Sequence, residues 1–131
     1  MPEIHIDRNG LLKLLLNLKP DKAAGPDRIK PVILKELRNE IVDVVQTIFQ
    51  KSISSGTVPV DWTKAFVCPL FKKGDPSNPA NYRPISLTCI LCKTLEHIVA
   101  SNVTSHLSKH NILYDLQHGF CEKKKDHAKP N

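Results

Sequence analysis

At 131 residues, with 40% apolar content and 24% charged residues, the chain has room for one folded, soluble domain and little more. A formal charge of +6 points to an anionic partner, although charge alone does not separate nucleic acid from acidic protein or a membrane surface. No apolar run nears the roughly 20 residues of a membrane span, and the start lacks a basic-then-apolar leader pattern. The expected setting is therefore intracellular, nucleus or cytoplasm, with Cys68, Cys89, Cys92 and Cys121 as reduced thiols.

Low aromatic content and ten prolines predict an aliphatic core and stiff connections. Ile4 and Ile6 alternate as a short extended lead-in. From Asp7, a suitable N-cap, leucines at 11, 12, 14, 15, 16 and 18 predict a short helix over about 7–18 with most faces covered. Lys19-Pro20 stops it, and the loop Asp21–Arg28 turns at Gly25-Pro26. Pro31 suits a helix first turn, with Val32, Ile33, Leu34 and Leu37 giving an apolar side over about 31–38. Ile41, Val44, Val45, Ile48, Phe49 and Ile53 predict an amphipathic helix over about 40–55, closed by Gly56. The only tryptophan, Trp62, stands just ahead of the next apolar run and reads as a packing anchor.

Two apolar runs, about 64–71 and 82–88, flank the polar segment Lys72–Ala80 and predict a β-hairpin. Leu91, Leu95, Ile98, Val99, Val103 and Leu107 then predict a helix over about 90–109, with Asn111 as a cap. The fold class is α+β: four helices packed around one hairpin. Residues 121–131, with five charged residues in a row from Glu122 to Asp126, are expected to be disordered.

Three chemistries can be weighed from the residues. Cys89-x2-Cys92-x13-His106-x3-His110 nearly matches a zinc-finger spacing. On a continuous helix, however, Cys92 and His106 lie about 21 Å apart along the axis, too far to share one ion. Paired carboxylates for two-metal chemistry are not evident, since the aspartates are scattered and Asp27 and Asp75 sit in turns that favour aspartate for conformational reasons. No nucleophile elbow or glycine-rich phosphate loop is present. There remains the hairpin turn, where Lys72 and Lys73 offer point charges and Arg83 a planar fork. These types suit a triphosphate. A solvated turn with an arginine tied to a local carboxylate is the reading such residues ordinarily favour, and the position does not decide.

The order of segments carries more than any single one. Ala24-Gly25-Pro26-Asp27, Val58-Pro59-x2-Trp62-x2-Ala65, Pro69-Leu70-Phe71-Lys72-Lys73-Gly74-Asp75, Asn81-Tyr82-Arg83-Pro84-Ile85-Ser86-Leu87-Thr88, Lys93-x2-Glu96 and Gln117-His118-Gly119-Phe120 run collinearly. Together, over about residues 3–120, they resemble the start of a non-LTR (LINE-type) retrotransposon reverse transcriptase, nearest the jockey and CR1-like groups. The resemblance implies a fingers region spanning 1–120, a partial domain. It implies that Lys72, with Lys73 as alternate, and Arg83 contact the incoming nucleoside triphosphate. It places Lys22 and Arg28 near the RNA template, and RNA, DNA and deoxynucleotides as partners of the parent RNA-directed DNA polymerase.

After Phe120 this chain departs from the family pattern with Cys121-Glu122-Lys123-Lys124-Lys125. The palm strands, whose aspartates would hold Mg2+ in the parent enzyme, are not matched. The expectation is a truncated fragment with no catalytic residues and no bound cofactor or metal of its own, retaining at most weak binding of nucleic acid or nucleotide. The alternative is an inactive remnant or a protein-interaction module. Helix faces that pack on a palm in the family should be left exposed here, giving marginal stability.

Overall fold

A computed structural model describes residues 1–113; the expected disordered tail and the Gln117–Phe120 motif lie outside the described residues. Their order is α1 (Arg8–Leu16), α2 (Pro31–Glu36), α3 (Arg38–Ser55), a 3₁₀ turn (Val60–Thr63), β1 (Phe66–Phe71), a second 3₁₀ turn (Pro79–Asn81), β2 (Tyr82–Leu87) and α4 (Ile90–Lys109). This is the α+β arrangement expected, with each predicted helix and both strands in place.

Local chemistry sets the ends. Asp7 caps α1 by accepting the Gly10 N–H on Oδ2 at 2.6 Å. Pro31 opens α2, where its missing N–H costs nothing. Gly56 closes α3 in the left-handed region at φ 67°. Asn111, at φ 50°, does the same for α4: the Ile112 N–H reaches Leu107 O at 3.0 Å and the Asn111 N–H reaches Ser108 O at 3.2 Å, a Schellman closure.

The core gathers where α1 crosses α3, with Ile6, Leu11, Leu15, Leu34, Val42, Val45, Phe49, Ile90 and Leu95 in one cluster. Phe49 is fully buried and meets Trp62 edge to face at 5.7 Å and 81°, so the tryptophan is the packing anchor expected. Among the described residues the extended lead-in has no neighbouring strand, and it uses glutamines of α3 instead. Ile6 N–H donates to Gln50 Oε1 at 2.9 Å, Gln46 Nε2 to Ile6 O at 2.7 Å, and Gln50 Nε2 to Ile4 O at 3.2 Å. Buried backbone groups thereby find partners, and Ile4 and Ile6 can be buried.

Three helix faces differ from expectation. On α3 the buried stripe is Val42, Val45, Phe49 and Ser52, while Val44 is 62% exposed, because the helix turns toward α1 one position away from the expected face. On α2 only Pro31 and Leu34 are buried, and Val32, Ile33 and Leu37 face outward from a two-turn helix with room for one contact line. On α1, Leu11 and Leu15 are buried but Leu16 is exposed, since the helix packs on α3 along one side rather than being covered all round. The burial of α4 is confined to Ile90, Cys92, Thr94 and Leu95, in its first turns.

Two thiols fasten the start of α4. Cys89 Sγ donates to Asp61 O and Cys92 Sγ to Trp62 O, both at 3.7 Å, which ties α4 to the 3₁₀ turn leading into β1. Burial pushes both thiols up, Cys92 to about 11 with help from Glu96, so both stand as neutral thiols. The helix runs unbroken to Lys109, and among the described residues no three His, Cys, Asp or Glu side chains converge on a metal position.

Candidate functional site

The hairpin is built on an antiparallel register that pairs Phe66 with Leu87, Leu70 with Arg83 and Phe71 with Tyr82. Lys72 N–H donates to Asn81 O at 2.8 Å, which carries the ladder one step past the strands and gives Lys72 and Asn81 the phase of a hydrogen-bonded pair, although the Asn81 N–H turns instead to Asn78 O at 3.0 Å. Counting back by twos, Leu70–Arg83, Cys68–Ile85 and Phe66–Leu87 are also hydrogen-bonded pairs. Pro69 and Pro84 face each other at a position that asks neither for an inward donor, so the ladder loses no bond.

Side chains directly opposite share a face, and alternate residues along a strand return to it. Leu70 and Arg83 are therefore on one face and Lys72 joins them. Lys72 and Arg83 form a diagonal pair, a relation with Cα separation of about 7–8 Å. Phe71 and Tyr82 occupy the opposite face, their rings 5.4 Å apart.

The turn between the strands is held by its own polar groups. Asp75 Oδ1 accepts the Ser77 N–H at 2.9 Å and Asn78 Oδ1 accepts the Ala80 N–H at 3.0 Å. Asn81 Nδ2 donates to Asp75 O at 3.0 Å, and the Tyr82 hydroxyl to Pro76 O at 2.8 Å. Gly74 has φ 95°, and a Cβ there would lie 2.7 Å from Asn81 Nδ2, so both conformation and space call for glycine. The Ser77 N–H and then its hydroxyl hold Asp75 below the usual carboxylate range, which keeps it ionised. That carboxylate is engaged by Ser77 rather than by a cation. Lys72, Lys73 and Arg83 are all exposed, and the ion pairs among the described residues, His5–Glu3, Arg8–Asp43 and Lys64–Asp61, involve none of them. Among the described residues the arginine tied to a local carboxylate, left open by the sequence, does not form.

The upstream loop comes to the base of this hairpin. Arg28 N–H closes a turn on Gly25 O at 2.9 Å, Asp27 Oδ1 accepts the Ile29 N–H at 3.1 Å, and Arg28 takes a left-handed φ of 58°. Gly25 is buried against the junction between β2 and α4. A Cβ on it would fall 2.4 Å from the Thr88 carbonyl carbon and 2.5 Å from Cys89 N, both backbone. Glycine is thus needed for backbone to meet backbone, and turn chemistry alone, the reading available from sequence, understates its role. Lys22 lines an open, largely apolar cavity of about 460 Å³ with Leu14, Leu18, Leu87, Ile90 and Lys93. Arg28 is not among its lining residues. The structure thus brings Lys72 and Arg83 onto one face, leaves Lys73 in the turn, and ties the loop bearing Lys22 and Arg28 to the strand exit through Gly25.

No protein-family model matches the chain. Individual proteins do. The probable RNA-directed DNA polymerase from transposon X-element of Drosophila melanogaster is 26% identical over 121 residues, covering 92% of this chain. That from transposon BS of the same organism is 28% identical over 111 residues, or 84% of this chain. The RNA-directed DNA polymerase from mobile element jockey, also of Drosophila melanogaster, is 28% identical over 116 residues, 83% of this chain. In each case the match spans only 12% or 13% of the curated relative's own length. Over most of its length, this chain is similar to one short stretch of the RNA-directed DNA polymerases of these transposons, in line with the resemblance to LINE-type elements that its motifs carry.

Proposed function

We propose that this stretch is the nucleotide-gripping fingers part of an RNA-directed DNA polymerase, in which Lys72 and Arg83 hold the phosphates of an incoming deoxynucleoside triphosphate. The observation that carries the reading is their placement as a diagonal pair on one hairpin face, exposed and with no ion pair to a described residue. A fork and a point charge at that separation can engage neighbouring phosphates together. Lys73, one residue further into the turn, is the alternate. Lys22 and Arg28 contact the template backbone, on a loop whose position relative to the hairpin is set by Gly25. Among the described residues no three His, Cys, Asp or Glu side chains stand where they could hold the Mg2+ ions of such a polymerase, and the role proposed for this stretch is the grip.

Filter binding of RNA and of deoxynucleotide at two salt concentrations tests this. Binding at low salt that weakens as salt rises, and that falls in Lys72→Ala/Arg83→Ala, is the expected result. Affinity unchanged by the double substitution would remove the assignment. Primer extension by the purified chain should be undetectable, and incorporation would show that chemistry resides here. A second reading, a protein-contact module without nucleic-acid binding, is favoured by the exposed apolar residues Val67, Leu70 and Phe71 on both hairpin faces. Absence of any RNA or nucleotide affinity at low salt would favour it.

A further inference from the structure

The zinc-finger-like spacing breaks into two halves that behave differently. Cys89 and Cys92 are sealed at the start of α4, whereas His106 and His110 stand together at its end, on a turn where nothing is fully buried. We infer that His106 and His110 form a bidentate site for a late first-row divalent transition cation, such as Ni2+, Cu2+ or Zn2+.

The geometry is already that of a chelate. Residues four apart on a helix lie one above the other, and here the His110 N–H donates to the His106 carbonyl at 3.1 Å, pinning one histidine above the other. The two ring centroids are 4.4 Å apart, with planes at 52°. Two imidazoles bound side by side at about 2.0–2.1 Å from one metal place their centroids about 4.5–5 Å apart, so the rings need move little. The Schellman closure at Asn111 and Ile112 fixes the backbone of the second ligand rather than letting the end fray. Among the described residues, no side-chain hydrogen bond commits either ring.

Two imidazoles leave the remaining coordination positions to water. Imidazole nitrogen selects late transition metals over Mg2+ and Ca2+, which want oxygen. This site is independent of the nucleotide reading: it lies on the far end of α4, about 21 Å along the axis from Cys92.

Calorimetric titration of the full chain with Ni2+ tests the inference, with thermal melts in parallel. One equivalent should bind, Mg2+ should not compete, and Ni2+ should raise the melting midpoint. Because the second ligation is intramolecular, His106→Ala and His110→Ala should each weaken binding about tenfold or more and abolish the midpoint shift. The combined His5→Gln, His97→Gln, His118→Gln and His127→Gln variant should bind as the parent does. No binding, binding retained in either alanine variant, or binding lost in the fourfold variant would each overturn the assignment.

Discussion

In the helical platform Leu15, Val42 and Phe49 are fully buried, whereas in the hairpin Val67 is 65% and Leu70 53% exposed, and no residue of either strand is buried. The platform is held by packing around α1 and α3. The hairpin is held by its ladder and by the side-chain bonds of Asp75, Asn78, Asn81 and Tyr82 within the turn. Stability and the proposed grip therefore reside in different places. Substitutions on the platform should move the unfolding equilibrium, and substitutions at the hairpin cations should move binding alone.

Truncation of Phe49 to alanine is the strongest way to break the platform. It deletes the ring that meets Trp62 and should cost about 3–5 kcal/mol by urea denaturation, enough to unfold a domain of this size. Gly25→Ala comes next, at about 1–3 kcal/mol, because a methyl group would overlap the Thr88–Cys89 backbone and push the loop off the strand exit. It should also weaken RNA binding, the one substitution expected to affect both regions.

Raising the pH tests the platform through its thiols. Burial raises the folded-state pKa of Cys92 to about 11 from a reference value of 9.0, and that of Cys89 in the same direction. Their contribution is complete below the unfolded value and lost as pH climbs from about 9 toward 11, so the urea midpoint should fall across that window. Below it, exposed Cys68 on β1 should react with a thiol reagent well before Cys89 and Cys92. Equal labelling rates would mean that the platform opens as readily as the hairpin. The smallest effect belongs to Lys72→Ala/Arg83→Ala, which should leave stability within about 0.5 kcal/mol while reducing nucleotide binding. A large loss of stability would show that the two regions are not separable.

Much of this division was legible in the residues. Asp7, Pro31 and Gly56 marked helix ends by local chemistry, and the structure keeps each in that role. Lys72 and Arg83 were readable as cations at a turn, and the register that puts them on one face depends on where Asn81 pairs. The burial of Val42 instead of Val44 was not legible, because helical periodicity offers adjacent stripes and only the partner helix chooses between them. Nor were the roles of Gln46 and Gln50, or the close approach at Gly25. Each depends on a segment distant in sequence, which composition and spacing do not reveal.

The facing prolines of the hairpin have a consequence for solubility. An apolar two-stranded ribbon with both long sides open is the template on which fibrils grow, since each side presents donors to the next chain. Pro69 and Pro84 sit where the missing N–H would point outward, one on each side of the ribbon. Strand addition from either direction meets a gap in the donor row, while the pairing within the hairpin is untouched. Replacing both prolines with valine would restore those donors and convert a tolerated exposed surface into a seed for self-association.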